Sequence, residues 1–278
     1  MEKTVLITGC SSGFGRALCN EFKDRGYYVI ATARNVMKLA DVGADLKVEL
    51  DVSDGCSIRN SMKLILSEVS GIDILINNAG YSVRSAVEEI EIDRLKDMMD
   101  VNVFGAIRMM QAVLPVMREH GGGRIYNIGS ISGRMTGIAN GGYCSSKYAI
   151  EAITEAARYE TKDMGIEICV IEPGAMDTVF FETLTKNSDK KMKDPDSCYR
   201  DIYERDLKFR GKQAKADVQT CAERLVQINE RRKLKVRYTI CVSWIYRIFT
   251  KMPDGLKEWA IRRSMKWRLQ IADMAFWI

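Results

Sequence analysis

The stretch Thr4-Val5-Leu6-Ile7-Thr8-Gly9-Cys10-Ser11-Ser12-Gly13-Phe14-Gly15 decides the fold. A short apolar run rich in β-formers ends at Thr8, and glycines stand at 9, 13 and 15. Residues 16–25 then place apolar side chains at helical spacing until Gly26 stops them. A strand, a glycine-rich turn and a helix N-terminus in succession make an anion site. Glycine lets the backbone approach a phosphate closely, and the free N–H groups and dipole of the helix point at it. The spacing differs from the usual G-x-G-x-x-G dinucleotide fingerprint, so the turn alone is also compatible with a purely structural role.

Outward from this unit, strands are expected over 4–8, 28–33, 46–50, 72–77, 124–129 and 166–171, and helices over 13–25, 56–69, 91–118 and 143–164. Alternation of strand and helix predicts an α/β chain: a single-domain, Rossmann-type, doubly wound parallel sheet with a helical C-terminal extension. Right-handed crossovers put the ligand crevice where the strand order reverses, at the carboxyl ends of the strands. No internal repeat or low-complexity linker divides residues 1–278, which read as one catalytic, nucleotide-binding domain.

Two features carry chemistry. Tyr143 and Lys147 lie one helical turn apart, and Ser130 follows the strand 124–129, so a phenol, an ammonium and a hydroxyl can meet. A phenol titrates near 10, and a neighbouring ammonium is expected to favour the phenolate and lower that value. Taken alone, Tyr-x-x-x-Lys is a common accident of helical sequence. The second feature is the end of the strand 28–33. An NAD site of this type needs an acid about twenty residues after the glycine turn, and here Ala33 and Arg34 stand instead. The guanidinium fork suits the 2′-phosphate of NADP(H), so Arg34 predicts that cofactor.

These residues together resemble the short-chain dehydrogenase/reductase family. Thr8 to Gly15 is similar to its cofactor motif, Asn77-Asn78-Ala79-Gly80 to its second signature, and Ser130, Tyr143 and Lys147 to its catalytic serine, tyrosine and lysine. The resemblance spans roughly residues 4–178 and implies catalysis by Ser130, Tyr143, Lys147 and Asn102. Tyr143 would pass the proton, Lys147 would hold its pKa down and bond the cofactor ribose, and Ser130 would hold the substrate oxygen. Asn102, inside an expected helix, would anchor a water linking Lys147 to solvent. Cofactor contacts are implied for Gly9, Ser11, Ser12, Gly13, Phe14, Gly15, Arg34, Asp51, Val52, Asn78, Ala79, Gly80, Tyr143, Lys147, Pro173, Gly174 and Thr178. Ser11 would share the 2′-phosphate with Arg34, Asp51 and Val52 would meet the adenine, and Pro173, Gly174 and Thr178 would meet the nicotinamide.

The wording is nearest the branch holding hydroxysteroid and retinol dehydrogenases, which implies a hydrophobic carbonyl or alcohol substrate; acyl-dihydroxyacetone-phosphate reductases are also similar. The substrate loop would lie over 175–215, with Met176, Val179, Phe180 and Phe181 near the chemistry. A non-catalytic NADP-binding sensor would be marked by loss of Ser130, Tyr143 or Lys147, and all three are present. A sugar-nucleotide epimerase would bring a separate C-terminal substrate domain, which is not expected from residues 1–278.

Among 278 residues, eight cysteines without C-x-x-C pairs and one histidine, His120, point to reduced thiols and no metal site. No apolar run approaches eighteen residues, and the first strand begins at residue 4, so a cytoplasmic enzyme is expected. The net charge of +5 is uneven: residues 231–278 hold twelve Lys and Arg against three acids, a net of +9. Within the basic segment of about 240–278, Leu256, Trp259, Ala260, Trp267, Ile271 and Met274 form an apolar helical stripe. Such a helix can cap a pocket, pack on its own domain or make peripheral contact with a membrane. No motif suggests nucleic acid. The family resemblance implies a homodimer or homotetramer.

Overall fold

The computed structural model describes residues 2–180, 188, 190–212 and 214–266. Seven parallel strands form one sheet: β1 (Thr4–Ile7), β2 (Tyr28–Ala33), β3 (Leu46–Glu49), β4 (Ile74–Asn77), β5 (Gly123–Ile128), β6 (Ile166–Pro173) and β7 (Arg237–Ile240). Their order is β3-β2-β1-β4-β5-β6-β7, so the chain reverses direction across the sheet between β1 and β4. The helices are α1 (Gly13–Asp24), α2 (Gly55–Glu68), α3 (Ile92–Met99), α4 (Ala106–Glu119), α5 (Gly141–Glu160), α6 (Arg200–Lys212), α7 (Val218–Asn229), α8 (Trp244–Phe249) and α9 (Asp254–Lys266).

The strands are near-continuous apolar runs because both faces of the sheet are covered. Side chains alternate across it: Val5 and Ile7 of β1 join a core with Phe14, Leu18 and Phe22 of α1 and Leu225 and Val226 of α7. Leu6 points the other way, into a core with Ile65 of α2 and Met109, Val113 and Met117 of α4. Each fully buried Leu, Ile or Phe here stabilises the fold by about 1.5–3 kcal/mol relative to exposure. This two-sided packing holds the sheet rigid, and its carboxyl edge carries the motifs.

The structure amends the sequence reading in four places. Residues 91–118 do not form one helix: α3 and α4 are joined by a wider π-helical turn, Asp100–Gly105, which carries Asn102. A π turn leaves backbone groups out of α-helical register, and this one turns Asn102 inward, where it is 3 % exposed. The helix that carries Tyr143 begins at Gly141, two residues early. The seventh strand, Arg237–Ile240, and the helix α7 that covers the sheet beside α1 were not read at all. The C-terminal stripe falls on α9, but Leu256 and Trp259 are about half exposed rather than packed. Trp267, Ile271 and Met274 lie outside the described residues, as does Phe181.

Among the described residues no helix is long and apolar enough to cross a membrane, and no cluster of metal-ligating side chains occurs. The eight cysteines are free. His120 ends α4 with its Nδ1 2.9 Å from the Val116 carbonyl oxygen.

Candidate active site

The glycine turn is held by the end of β4. Thr8 Oγ1 accepts from the backbone N–H groups of Asn78 and Ala79, each at 3.0 Å. Asn78 Nδ2 donates to the carbonyls of Thr8 (2.8 Å) and Gly9 (3.1 Å). The turn approaches so closely that a Cβ on Gly15 would lie 2.4 Å from the Gly9 carbonyl oxygen. Gly13, at φ +56, faces Thr178, which stands 3.3 Å from where a Cβ would be. The loop after β6 therefore reaches the turn after β1 through Thr178. Ser12 sits at the N-cap of α1 without a side-chain cap bond, so its hydroxyl does not satisfy the N–H groups that open the helix.

Ala33 is buried at the end of β2, and Arg34 is exposed beyond it. Arg34 makes no ion pair with any described residue. A dinucleotide fits this cradle, because the N-terminus of α1, without a side-chain cap, opens toward it. Asp51 accepts from the Ser53 hydroxyl at 2.6 Å, beside buried Val52, at the edge expected for the adenine.

Ser130 follows β5 and caps a short 3₁₀ turn, Ile131–Gly133, by accepting from the Ser132 N–H at 3.1 Å. Tyr143 is half-buried near the start of α5. Burial pushes its phenol up to about 12, against a side-chain hydrogen bond with Ser130 and the positive charge of Arg84. Phe180 stands beside the Tyr143 ring, centroid to centroid 6.0 Å, giving the site an apolar wall.

Lys147 Nζ donates to the Ile128 carbonyl at 2.7 Å and lies over the Tyr143 ring, 5.7 Å from its centroid. Burial pulls the ammonium down to about 8, opposed by the charge of Glu151. The Asn102 side-chain amide is engaged by neighbouring protein groups. Its Oδ1 accepts from the Tyr81 N–H at 2.9 Å, and its Nδ2 donates to the Tyr81 carbonyl (2.9 Å) and Ser146 Oγ (3.1 Å). The amide therefore ties the π turn to the loop after β4 and to α5.

Sequence reading missed two supporting groups. Asn77 Nδ2 donates to Asn127 Oδ1, and Asn127 Nδ2 donates to Thr154 Oγ1, both at 2.8 Å. This buried chain fixes β4, β5 and α5 relative to one another. Its signal was Asn127, a polar residue inside an apolar strand. The second group docks α6 on the segment that follows β4. Arg84 pairs with Asp206 at 2.9 Å, both partly buried, Tyr203 OH donates to Glu89, and the Ala86 N–H donates to Tyr203 OH at 3.0 Å. No local pattern announces it, since its partners are more than a hundred residues apart.

Known proteins share this arrangement. The short chain dehydrogenase family model matches residues 3–189. An uncharacterized oxidoreductase of Bacillus subtilis is 35% identical over 253 residues, covering 86% of this chain and 89% of that one. A 3-ketodihydrosphingosine reductase of Bacteroides thetaiotaomicron is 34% identical over 205 residues, 74% of each chain. The crystal structure of a short-chain dehydrogenase from Streptomyces avermitilis superposes with a TM-score of 0.80 at 27% identity, over 96% of both chains.

Proposed function

Because the chain belongs to the short-chain dehydrogenase family, we propose that it is an NADP(H)-dependent oxidoreductase interconverting a carbonyl with a primary or secondary alcohol on a hydrophobic molecule. The observation that carries the catalytic reading is the Tyr143 ring standing beside Phe180, two residues after the Thr178 that meets Gly13, with Ser130 at the carboxyl end of β5 and Lys147 one turn along α5. The nicotinamide supplies or accepts the hydride when bound. Tyr143 gives a proton to the substrate oxygen or takes one from it, and Ser130 holds that oxygen and steadies its developing charge. A phenol at about 12 is a proton donor at neutral pH. Acting as a base therefore requires a nearby positive charge, which the Lys147 ammonium, 5.7 Å from the Tyr143 ring centroid, supplies.

Arg34 without an ion pair, next to Ala33, supports NADP(H) over NAD(H). The apolar wall at Phe180 and the docked helix α6 support a hydrophobic substrate of steroid or retinoid type. The relative that acts on 3-ketodihydrosphingosine adds long-chain keto-lipids to the candidates. The test is NADPH and NADH oxidation against steroid ketones, retinal, 3-ketodihydrosphingosine, acyl-dihydroxyacetone phosphate and small sugars. Turnover of the apolar ketones with NADPH is the expected result. NADPH binding without turnover of any carbonyl would favour the sensor reading.

The same reading places the enzyme in the cytoplasm as a homodimer or homotetramer. Exposed Phe104, Tyr148 and Tyr159, next to or on α4 and α5, support assembly through those helices. Peripheral membrane contact is supported by half-exposed Trp244, Ile248, Leu256 and Trp259 among Arg247, Lys251, Arg262 and Arg263. Salt-sensitive binding to phosphatidylserine vesicles tests it.

A further inference from the structure

Behind the catalytic lysine lies a buried ionic cluster that the reaction scheme does not use. Glu151, one helical turn after Lys147 on α5, and Glu172, at the end of β6, are both buried. Both carboxylates reach the single Nε atom of Arg237 on β7, Glu151 at 3.3 Å and Glu172 at 3.6 Å. Arg134, from the turn after Ser130, reaches Glu172 at 3.7 Å, and Thr239 of β7 donates to Glu172 Oε2 at 2.7 Å. Glu155, a further turn along α5, shares Arg237 at 3.4 Å. One oxygen on each buried carboxylate, Glu151 Oε1 and Glu172 Oε1, accepts no hydrogen bond from the described residues. Glu151 Oε1 also lies 3.1 Å from where a Cβ on Gly129 would stand, directly behind the residue preceding Ser130. The cluster is thus assembled from the four elements that present Ser130, Lys147, Pro173-Gly174 and the seventh strand.

Two buried carboxylates that share one guanidinium nitrogen repel each other, and the negative charge nearest Lys147 along α5 is Glu151. We propose that Glu151 and Glu172 are a positioning pair that sets the charge on Lys147: ionised Glu151 holds the lysine as an ammonium, and Glu172 limits how readily Glu151 ionises. The proposal rests on Lys147 belonging to the catalytic and cofactor site.

The electrostatics agree with this geometry. Burial and the Glu172 carboxylate push Glu151 up to about 7, while Arg237 and Arg134 oppose the rise. Lys147 is pulled down by burial to about 8 and held up by Glu151. The groups facing Glu151 are therefore Lys147 and Glu155 on α5, Glu172 on β6, Arg237 on β7 and Arg134 in the turn after β5. Around neutral pH a change at Glu172 passes through Glu151 to the lysine. The two near-isosteric substitutions consequently act in opposite directions. Glu151→Gln removes the carboxylate that favours the ammonium, so Lys147 loses its proton at lower pH. Glu172→Gln relieves the repulsion on Glu151, which ionises more fully, so Lys147 keeps its proton to higher pH.

The experiment titrates Lys147 in the full-length chain in two ways. One is the alkaline loss of NADPH affinity, and the other is acetylation of Lys147 by acetic anhydride, which reacts only with the neutral amine, followed by peptide mass spectrometry. A midpoint near 8 is expected for the unmodified protein. Glu151→Gln should lower it and Glu172→Gln raise it, each by about half a pH unit or more. Midpoints that stay put, or that move the same way in both variants, overturn the proposal. A purely structural cluster would lower melting temperatures without producing opposite shifts. If Glu151→Gln does not fold, Glu172→Gln decides alone, since only a rise supports the pair. Lys147→Met must abolish the alkaline limb of NADPH binding. If that limb survives, the cofactor role of Lys147 fails, and the acetylation midpoints still judge the pair.

Discussion

The Nζ of Lys147 donates to the Ile128 carbonyl at 2.7 Å, so the end of β5, two residues before Ser130, holds the ammonium in place. The lysine is 6 % exposed and charged at neutral pH, and the fold bears the cost of burying that charge. Its folded pKa of about 8 lies below the value near 10.5 of a solvated lysine. The unfolded chain therefore binds the proton more tightly, and stability on this account rises with pH between those two values. Below pH 8 the full cost applies, roughly 3 kcal/mol.

Lys147→Met should accordingly melt higher than the unmodified protein at pH 7, despite losing the bond to Ile128. The difference should shrink by pH 9.5, where the native lysine is already neutral. Thermal scans of both proteins at the two pH values check the sign. A gap that grows with pH would contradict it. NADPH affinity should fall in the variant at pH 7, which separates the functional role from the stability gain.

Tyr143→Phe should remove turnover while leaving NADPH affinity within about twofold, because it deletes one hydroxyl and empties almost no space. Ser130→Ala should lower kcat about a hundredfold or more, since it removes the donor at the substrate oxygen and the hydrogen bond that opposes the rise of the Tyr143 pKa. Steady-state kinetics with an apolar ketone tests both. Retention of more than a few per cent of activity in the tyrosine variant would displace Tyr143 from its role.

Arg34→Asp should weaken NADPH binding by about tenfold or more and strengthen NADH binding, since an exposed fork is replaced by a charge that repels the 2′-phosphate. Equal affinity of the unmodified protein for the two cofactors would already argue against the assignment.

Gly15→Ala tests the cradle itself. The added Cβ would meet the Gly9 carbonyl oxygen at 2.4 Å and Asn78 Nδ2 at 2.5 Å, and the backbone cannot yield without parting β1 from β4. A loss of about 1–3 kcal/mol in stability is expected, together with NADPH affinity too weak to measure. A variant with unchanged melting temperature and binding would mean that the turn is looser than described.

Arg84→Met leaves the Asp206 carboxylate buried without the guanidinium 2.9 Å away, which costs about 3–5 kcal/mol where the charge cannot reach water. Because α6 is held by this pair together with the Tyr203–Glu89 contact, it should undock before the sheet unfolds. Faster limited proteolysis within 192–212 and a raised KM for bulky substrates are expected, with the core melting near its usual temperature. If cleavage stays slow and KM is unchanged, the pair does not hold the helix.

Much of the site was legible in the chain because local rules govern it. An apolar run, glycines and a helical period specify β1, the turn and α1 together, and Tyr143 and Lys147 share a helix face by spacing alone. The order of strands and helices announced the parallel sheet, and its carboxyl edge told where the remaining motifs would meet. The π turn at Asp100–Gly105 escaped notice because 3.6-residue periodicity extends through it, and only the inward bonds of Asn102 to Tyr81 and Ser146 make the wider turn favourable. β7 escaped because four residues at a sheet edge, flanked by arginines and lysines, show no period of their own.

The sequence by itself determined the family and the sheet and singled out Ser130, Tyr143 and Lys147 as the candidates for chemistry, since these depend on residue type and short-range spacing. Only the tertiary structure decided what each charge faces. Lys147 bonds the Ile128 carbonyl beside the Tyr143 ring, Glu151 meets Glu172 across Arg237, and Arg84 meets Asp206. Electrostatic energy depends on distance and burial in space, and residues 151 and 172, or 84 and 206, become neighbours only after the chain has folded.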